Sequence, residues 1–248
     1  MNDPIRKFMK NVKVSIITPC YNSGKTIRRT IESVLNQTFS NIEYIIVDGK
    51  STDGTIDIIK EYDEHFCGRL KYISEKDTGI YDAMNKGLRM STGYIIGIIN
   101  SDDFYELDAV EKVVNNMTDD LYQVVYGYCN YIEKGRKTRV LTTNHNELNV
   151  KMIPHPTCFI TRKTYCEYGL FLEWLKMAAD YELMLRLCKK EDVHFIQVKE
   201  VLADFYVGGA STKHEVMPKL IRESLLAQCI HGAISKKEFI REYRDSFK

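Results

Sequence analysis

Two adjacent carboxylates, Asp102 and Asp103, follow directly after the apolar run YIIGIIN at residues 94–100. Aspartates at strand ends are common in turns, where they accept hydrogen bonds from backbone N–H groups. Carboxylate oxygens are also the ligands that Mg²⁺ and Mn²⁺ prefer, and these ions usually bind one or two protein carboxylates together with phosphate oxygens of a substrate. The pair therefore indicates either an Asp-rich turn or a site for a divalent cation that carries a diphosphate.

The residues before this pair alternate between two periods. Three short β-branched runs are each followed by a polar loop and then by apolar residues at helical spacing. We expect strands at 13–18, 42–48, 70–74 and 94–100, and helices at 26–37, 56–62 and 80–90. This alternation predicts an α/β fold with a Rossmann-like, mostly parallel central sheet flanked by helices. In such sheets ligands bind at the carboxyl ends of the strands, so the loops TPCYN, DGKSTDG, SEKDTG and NSDDFY should converge there.

The pattern changes after a predicted helix at 107–117. Strand-like runs at 123–132 and 137–143 flank the turn EKGR, and two helices (162–168, 178–189) and two strands (193–198, 201–207) follow. From Glu215 the chain reads as helical to its end, with a break near 231–235. These runs predict a more irregular, more antiparallel second half and a helical C-terminus. Because no linker-like segment separates the halves, we expect one domain with two functional halves.

Composition argues against several classes of partner and location. The 35 Lys and Arg residues nearly balance the 34 Asp and Glu residues, so no overall positive field attracts nucleic acid or an anionic bilayer. The seven cysteines are scattered without a C-x-x-C pair, which argues against a disulfide framework and a zinc ribbon. The first residues hold no apolar core of signal-peptide length, and no run of about eighteen apolar residues occurs. We expect a cytoplasmic protein with reduced thiols that does not itself cross a membrane.

Two phosphate-binding motifs are absent after the first predicted strand. The tripeptide Gly24-Lys25-Thr26 resembles the end of a P-loop, but that motif needs a glycine at position 19, where this chain has Pro19. The dinucleotide-binding pattern G-x-G-x-x-G is missing there as well. The sequence therefore disfavours a P-loop nucleotidase and a nicotinamide or flavin enzyme.

Five segments along the chain carry a further signal: VSIITPCYN (14–22), VDGKSTDGT (47–55), the D-x-G of 77–79, INSDD (99–103) and ADYELMLRL (179–187). In their order and spacing they resemble family 2 glycosyltransferases with the GT-A fold, in particular bacterial enzymes that build surface polysaccharides. The resemblance covers roughly residues 12–212. It implies a GT-A domain with a nucleotide-binding half at 12–104 and an acceptor half at 105–212. Residues 213–248 would then form a C-terminal helical extension.

The resemblance implies a nucleotide site in the first three loops. Tyr21 would stack on uracil, which is worth about 1–3 kcal/mol, although an aromatic residue at a strand end can also simply pack there. The family often has two adjacent aspartates in the second loop, one of which accepts the imide proton of the base, whereas this chain has Asp48 followed by Gly49. The full set of nucleotide-binding candidates is Thr18, Pro19, Tyr21, Asn22, Asp48, Asp77, Asn85 and Asp102.

The resemblance also divides roles between the two carboxylates of the opening pair. Asp103 matches the ligand of Mn²⁺ or Mg²⁺, and Asp102 matches a residue at the ribose or the metal's water shell. Asp180 matches the general base that deprotonates the acceptor hydroxyl. At the start of a predicted helix Asp180 is equally suited to cap backbone N–H groups. Glu182 is the second choice of base, since it would point away from Asp180 on a helix.

Three further residues match positions near the acceptor or the diphosphate. His155 lies between two prolines, where a loop residue without a ligand is the other interpretation. Ser211 and Lys213 lie in GGASTKH, which resembles a loop that closes over the diphosphate but also reads as a surface turn. In the C-terminal helix an apolar stripe (239, 240, 243, 247) faces a mixed charged side, which suits a membrane surface, the chain's own core or a second subunit in a homodimer.

These features together predict an inverting, metal-dependent glycosyltransferase. It would move a sugar from a nucleotide-diphosphate donor, a UDP-sugar, to a hydroxyl of a glycan or lipid-linked glycan in polysaccharide biosynthesis, in the cytoplasm or peripherally at the inner face of the cell membrane. One alternative is a nucleotidyltransferase acting on a sugar phosphate, which usually has a more glycine-rich, basic first loop than TPCYNSGK. The other is a non-catalytic nucleotide-sugar-binding module, which would not need both Asp103 and Asp180.

Overall fold

A computed structural model of the chain describes residues 11–209 and 214–247. The strands are β1 Val14–Cys20, β2 Ile42–Asp48, β3 Leu70–Ser74, β4 Ile95–Ile98, β5 Phe104–Tyr105, β6 Gln123–Glu133, β7 Arg136–Leu141, β8 Phe159–Thr161 and β9 His194–Tyr206. The helices are α1 Ile27–Leu35, α2 Thr55–Glu61, α3 Ile80–Met90, α4 Ala109–Asn116, α5 Arg162–Tyr168, α6 Ala179–Cys188, α7 Met217–Ile230 and α8 Lys236–Asp245.

The first half forms the predicted parallel sheet. The strand order is β3-β2-β1-β4, and β1 pairs in parallel with both β2 and β4. Both β1 and β2 are buried along their whole length, as expected of strands covered on two faces. The helix α1 buries Ile27, Ile31 and Val34, which recur at the helical period read from the sequence. The α/β class and the mostly parallel first half are confirmed.

The second half extends the same sheet with antiparallel and mixed pairing. Strand β8 lies antiparallel to both β4 and β6, and β6 runs parallel to β9. The two strands expected at 193–198 and 201–207 are wrong as separate elements, because they form one strand, β9, whose pairing with β6 shifts register near Tyr128. The short strand β5, which begins directly after Asp103, pairs with the end of β9.

The core lies on both faces of this sheet. One cluster holds α1, α4 and the faces of β1 and β2 that they cover, and the other holds α3, α6 and the opposite faces. Helix α7 packs against α6 and buries Ala227 completely. The parallel strands therefore present their carboxyl ends, and the four loops that follow them, along one edge.

The C-terminal stripe is only partly covered. Ile240, Tyr243 and Phe247 are exposed, while Arg222 of α7 stacks on the ring of Phe247 at 3.5 Å from its centroid.

All seven cysteines are free thiols. Within the described ranges, no helix is both long enough and apolar enough to span a bilayer.

Candidate active site

The loops at the carboxyl edge of the sheet are tied to one another by short hydrogen bonds. Asn22 adopts a left-handed backbone (φ 48°), its N–H donates to Ser51 Oγ at 2.7 Å, and its Oδ1 accepts from the Thr52 N–H at 2.9 Å. The hydroxyls of Ser23 and Ser101 lie 2.7 Å apart. The loops after β1, β2 and β4 therefore form one connected rim, and Asn22 acts in that rim as a loop clamp.

An exposed ring and a carboxylate lie side by side at this rim. Tyr21 is 65% exposed. A Cβ atom at Gly49 would lie 2.5 Å from Asp77 Oδ2 and 3.3 Å from Tyr21 Cδ2, so the glycine leaves the space that the Asp77 carboxylate occupies. Burial raises the pKa of Asp77, although the Gly79 N–H donates to its Oδ1 at 3.0 Å. The pair offers a stacking surface and an acceptor to the same ligand.

Asp48, the expected acceptor for the base, is instead fully buried and bonded by its own chain. Its Oδ2 accepts from the Ser51 N–H at 3.0 Å and from Ser74 Oγ at 2.6 Å, and Ser51 Oγ donates to its Oδ1. The thiol of Cys20 lies 3.7 Å from the same Oδ1. Asp48 thus joins the ends of β2 and β3 to the second loop, and its oxygens are occupied without a ligand.

Three more nucleotide-binding candidates have structural positions. Thr18 is 0% exposed, and its Oγ1 accepts from the Tyr44 hydroxyl at 2.9 Å inside the sheet. Pro19 is also buried. Asn85 is 2% exposed, and its side-chain amide bonds to the backbone N–H and C=O of Phe171 at 3.1 and 2.9 Å. Thr18 and Pro19 are thus buried in the sheet, and Asn85 anchors the segment that leads into α6.

The adjacent aspartates differ sharply in environment. Asp103 is 1% exposed, its Oδ1 accepts from the Tyr206 N–H at 2.9 Å, and its Oδ2 accepts from Asn100 Nδ2 at 3.3 Å. Burial, with the neighbouring charge of Asp102, raises the pKa of Asp103 well above its usual range. Asp102 is partly exposed and packs against Gly209. A Cβ atom added to this glycine would overlap Asp102 Oδ2, so a larger residue would not fit there without a shift. Asp103 therefore fastens the end of β4 to the end of β9, and Asp102 is the carboxylate of the pair that stays partly exposed.

Asp180 lies at the start of α6, in a cluster with an aromatic residue of α3. The Tyr81 hydroxyl donates to Asp180 Oδ1 at 2.8 Å, and the Tyr181 N–H donates to the same oxygen at 2.9 Å. Tyr81 is 6% exposed and stacks on Phe171 at 5.6 Å between ring centroids. The helix N-cap is Ala178, which has no side-chain cap, and Asp180 in the first turn accepts one of the backbone N–H groups there. Both bonds end on Oδ1, and among the described residues Oδ2 accepts no hydrogen bond.

His155 joins the same cluster. Its ring meets the Phe171 ring edge-on at 5.9 Å, and burial lowers its pKa while the negative charge of Asp180 opposes the shift. Burial therefore favours the neutral form of the imidazole. Glu182, the second choice of base, is 2% exposed and paired with Arg186 at 2.9 Å and His231 at 2.8 Å. Ser211 and Lys213 lie outside the described residues.

Sequence reasoning missed two residues of this edge. Tyr81 lies two residues after the D-x-G segment, and a tyrosine in the first turn of a predicted helix beside that segment was the available signal. Lys176 donates from Nζ to the Thr78 carbonyl at 3.1 Å and so joins the third loop to the segment before α6. That contact spans 98 positions of the chain, and no local pattern indicates it.

The carboxylates of the edge do not form a complete metal cage. In the part of the chain that the structure describes, no three His, Cys, Asp or Glu side chains converge as metal ligands. One partly exposed carboxylate, Asp102, suits an ion such as Mg²⁺ or Mn²⁺, which takes most of its oxygen ligands from phosphate and water. The donor set thus fits a metal that arrives with a diphosphate.

Comparison of the chain with known sequences gives consistent matches. The family model for Glycosyl transferase family 2 matches residues 15–176, about two thirds of the chain. The chain is 35% identical over 228 residues to a chondroitin synthase of Escherichia coli, which covers 86% of this chain but 32% of that protein. It is 28% identical over 241 residues to an uncharacterized glycosyltransferase of Rickettsia typhi, covering 92% of this chain and 74% of that one. The chain thus spans about a third of the chondroitin synthase.

Solved structures share the architecture at low sequence identity. A TarS fragment from S. aureus in complex with UDP-GlcNAc superposes with a TM-score of 0.68 at 17% identity, covering 95% of this chain and 71% of that one. The mannosyltransferase PcManGT from Pyrobaculum calidifontis, in complex with GDP-Man and Mn²⁺, gives 0.68 at 17% identity, covering 95% and 74%. These likenesses show a common GT-A fold.

Proposed function

The chain belongs to glycosyltransferase family 2, and we propose that it moves a sugar from a UDP-sugar to a hydroxyl of a glycan or lipid-linked glycan acceptor. The observation that carries the proposal is the single edge that holds both halves of such a site. Tyr21 and Asp77 would bind the nucleobase, and Asp102 would lie at the diphosphate. Asp180, which accepts from the Tyr81 hydroxyl, would receive the proton of the acceptor hydroxyl. The solved relatives named above bind UDP-GlcNAc and GDP-Man, which supports a nucleotide-sugar donor.

Asp77 takes the base-reading role that we expected of Asp48. Asp48 is enclosed by Ser51 and Ser74, whereas the Asp77 carboxylate borders the exposed ring of Tyr21. A uracil stacked on that ring would direct its imide N–H to the carboxylate, and a hydrogen bond to a charged acceptor is worth about 1.5–3 kcal/mol. The glycine at position 49 fits this arrangement, because a second aspartate there would collide with Asp77.

Of the two adjacent aspartates, we infer that Asp102 takes the metal-binding role that we expected of Asp103. Asp102 is the carboxylate that reaches the diphosphate and a bound Mn²⁺ or Mg²⁺, and Asp103 holds Asp102 in position from inside the sheet. When bound, the cation would offset the negative charge that develops on the departing diphosphate. The structure of the mannosyltransferase PcManGT, which is in complex with GDP-Man and Mn²⁺, supports a divalent cation of this kind.

The transfer step needs one proton acceptor on the chain. The acceptor hydroxyl attacks the anomeric carbon as its proton passes to Asp180 Oδ2, the new glycosidic bond forms, and the bond to the diphosphate oxygen breaks with departure of UDP. Tyr81 and the Tyr181 N–H hold Oδ1 fixed during this step. A single in-line displacement of this type inverts the anomeric centre, and fixed positioning supplies much of its rate enhancement.

A donor panel tests the proposal. The enzyme is incubated with UDP- and GDP-sugars and Mn²⁺ or Mg²⁺, and the release of nucleoside diphosphate is measured with and without glycan acceptors. We expect slow hydrolysis of one UDP-sugar by the wild type, at least 100-fold slower turnover by Asp180→Asn, and wild-type turnover by Asp57→Asn, a matched change on the exposed face of α2. Release of pyrophosphate would indicate a nucleotidyltransferase, and binding without turnover would indicate a non-catalytic module.

A further inference from the structure

Helix α7, which lies beyond the matched family segment, holds the backbone that leads into α6. The Glu223 carboxylate accepts three consecutive backbone N–H groups on its Oε2, from Lys176 at 2.8 Å, Met177 at 2.6 Å and Ala178 at 3.2 Å. Hydrogen bonds from N–H groups to an ionised carboxylate are about twice as strong as neutral ones. The Glu223 side chain therefore accepts hydrogen bonds from three backbone N–H groups that belong to no helix or strand ladder.

Two other side chains, one in α7 and one directly after it, form hydrogen bonds with α6 itself. Gln228 Nε2 donates to the Tyr181 hydroxyl at 3.0 Å, and His231 Nε2 lies 2.8 Å from Glu182 Oε1. Tyr181 and Glu182 are the two residues that follow Asp180. The contacts of residues 223–231 thus fall on both sides of Asp180 in the sequence. Ala227, which is fully buried, packs where α7 meets α6.

We propose that Glu223 is a positioning residue for Asp180. The inference rests on the proposed role of Asp180 as the base. The carboxylate fixes the Lys176–Ala178 backbone, and this backbone sets where Asp180 Oδ2 stands relative to Tyr81 and the acceptor. Without Glu223 the three N–H groups lose their acceptor and the start of α6 can shift, and a misplacement of about 1 Å at a reacting group can lower a rate 100-fold. The C-terminal extension thereby completes the active site of the preceding domain.

The proposal predicts a specific pattern of kinetics. Glu223→Ala should lower kcat roughly 10- to 100-fold and leave KM for the donor within about twofold, because Tyr21 and Asp77 keep their places. Glu223→Gln keeps a carbonyl oxygen in reach of the same N–H groups and should restore kcat to within about threefold. The matched control is Glu238→Gln, the same chemical change at the exposed Ser235–Glu238 capping box of α8, which touches nothing in α6, so kcat should stay at the wild-type value.

Hydrogen exchange gives a readout that does not need turnover. Amide exchange of Lys176, Met177 and Ala178 should accelerate in Glu223→Ala and stay at the wild-type rate in Glu238→Gln. Unchanged exchange in Glu223→Ala would overturn the anchor. A fall in melting temperature with unchanged kcat per folded molecule would show a merely structural contact and also overturn the proposal.

The Asp180→Asn protein separates this inference from the proposed function. A large loss of kcat in Asp180→Asn together with normal kcat in Glu223→Ala overturns the positioning role alone. Full activity of Asp180→Asn overturns the base assignment and, with it, the catalytic meaning of the Glu223 contact. Losses in both variants, with rescue by Glu223→Gln, support the two together.

Discussion

Glu43 is the second residue of β2, at the end of the sheet opposite the candidate active site, and its carboxylate joins three strands. It is 3% exposed and accepts from Ser15 Oγ at 2.5 Å, from the Thr92 and Gly93 N–H groups at 2.5 and 3.0 Å, and from Lys71 Nζ at 3.2 Å. Burial alone would raise the pKa of Glu43, but these hydrogen bonds outweigh it and lower the pKa from 4.5 to about 2. We predict that Glu43→Gln destabilises the protein in a pH-dependent way.

The size of the effect follows from the pKa shift of Glu43. A fall from 4.5 to about 2 corresponds to about 3 kcal/mol of folding free energy, since one pKa unit is about 1.4 kcal/mol. Lys71 and Lys13 approach the carboxylate from the solvent side, so screening reduces this to about 2 kcal/mol. Because the folded pKa lies below the unfolded one, the stabilisation is present above about pH 4.5 and disappears as the pH falls toward 2.

Urea unfolding measured between pH 7 and pH 3 by circular dichroism tests this reasoning. Glu43→Gln should be about 2 kcal/mol less stable than the wild type at pH 7, and the gap should narrow steadily below pH 4.5. Glu61→Gln is the matched control, because its ion pair with Arg28 is exposed and should have a much smaller effect. A gap that stays constant from pH 7 to pH 3, or no gap at pH 7, would refute the role assigned to Glu43.

Three changes in the site give further expected outcomes. Asp102→Asn should lower turnover at least 100-fold in a nucleoside diphosphate release assay and leave the melting temperature near the wild-type value, whereas a fully active variant would remove Asp102 from the diphosphate site. Asp77→Asn should raise KM for the UDP-sugar about 10-fold with little change in kcat, because the lost charge-assisted hydrogen bond forms with the base in every bound state; an unchanged KM would count against base recognition by Asp77. Tyr81→Phe should lower kcat about 10-fold at unchanged donor KM, since Asp180 Oδ1 loses the hydroxyl that donates to it at 2.8 Å. Steady-state kinetics at saturating acceptor measures this, and an unchanged kcat would contradict the role of Tyr81.

Local periodicity was enough to predict most elements of the first half. Strands β2 and β3 and helix α3 have the bounds read from the sequence, because each is a short apolar or amphipathic run between turn residues. The second half was harder. Strand β8 has three residues and β5 has two, and their pairing with β4, β6 and β9 depends on contacts that no local pattern encodes.

The roles of individual polar residues depended on partners far away in sequence. Thr18, Asp48 and Asn85 belong to motifs that match a nucleotide site, yet each side chain forms hydrogen bonds with other residues of the chain. Their partners Tyr44, Ser74 and Phe171 lie 26, 26 and 86 positions away. A buried polar group must find a hydrogen-bond partner, and only the folded chain shows whether that partner is a ligand or the protein itself.

The sequence by itself determined the α/β alternation, the edge at which the loops meet, and the kinds of side chain that this edge carries. These follow from short-range periodicity and from the rule that parallel strands end together. Tertiary structure alone decided which of two adjacent aspartates is buried, which carboxylate borders the exposed tyrosine, and which helix steadies Asp180. Each of these depends on desolvation and hydrogen bonding between segments such as β4 and β9 or α6 and α7, which neighbouring letters in the sequence do not record.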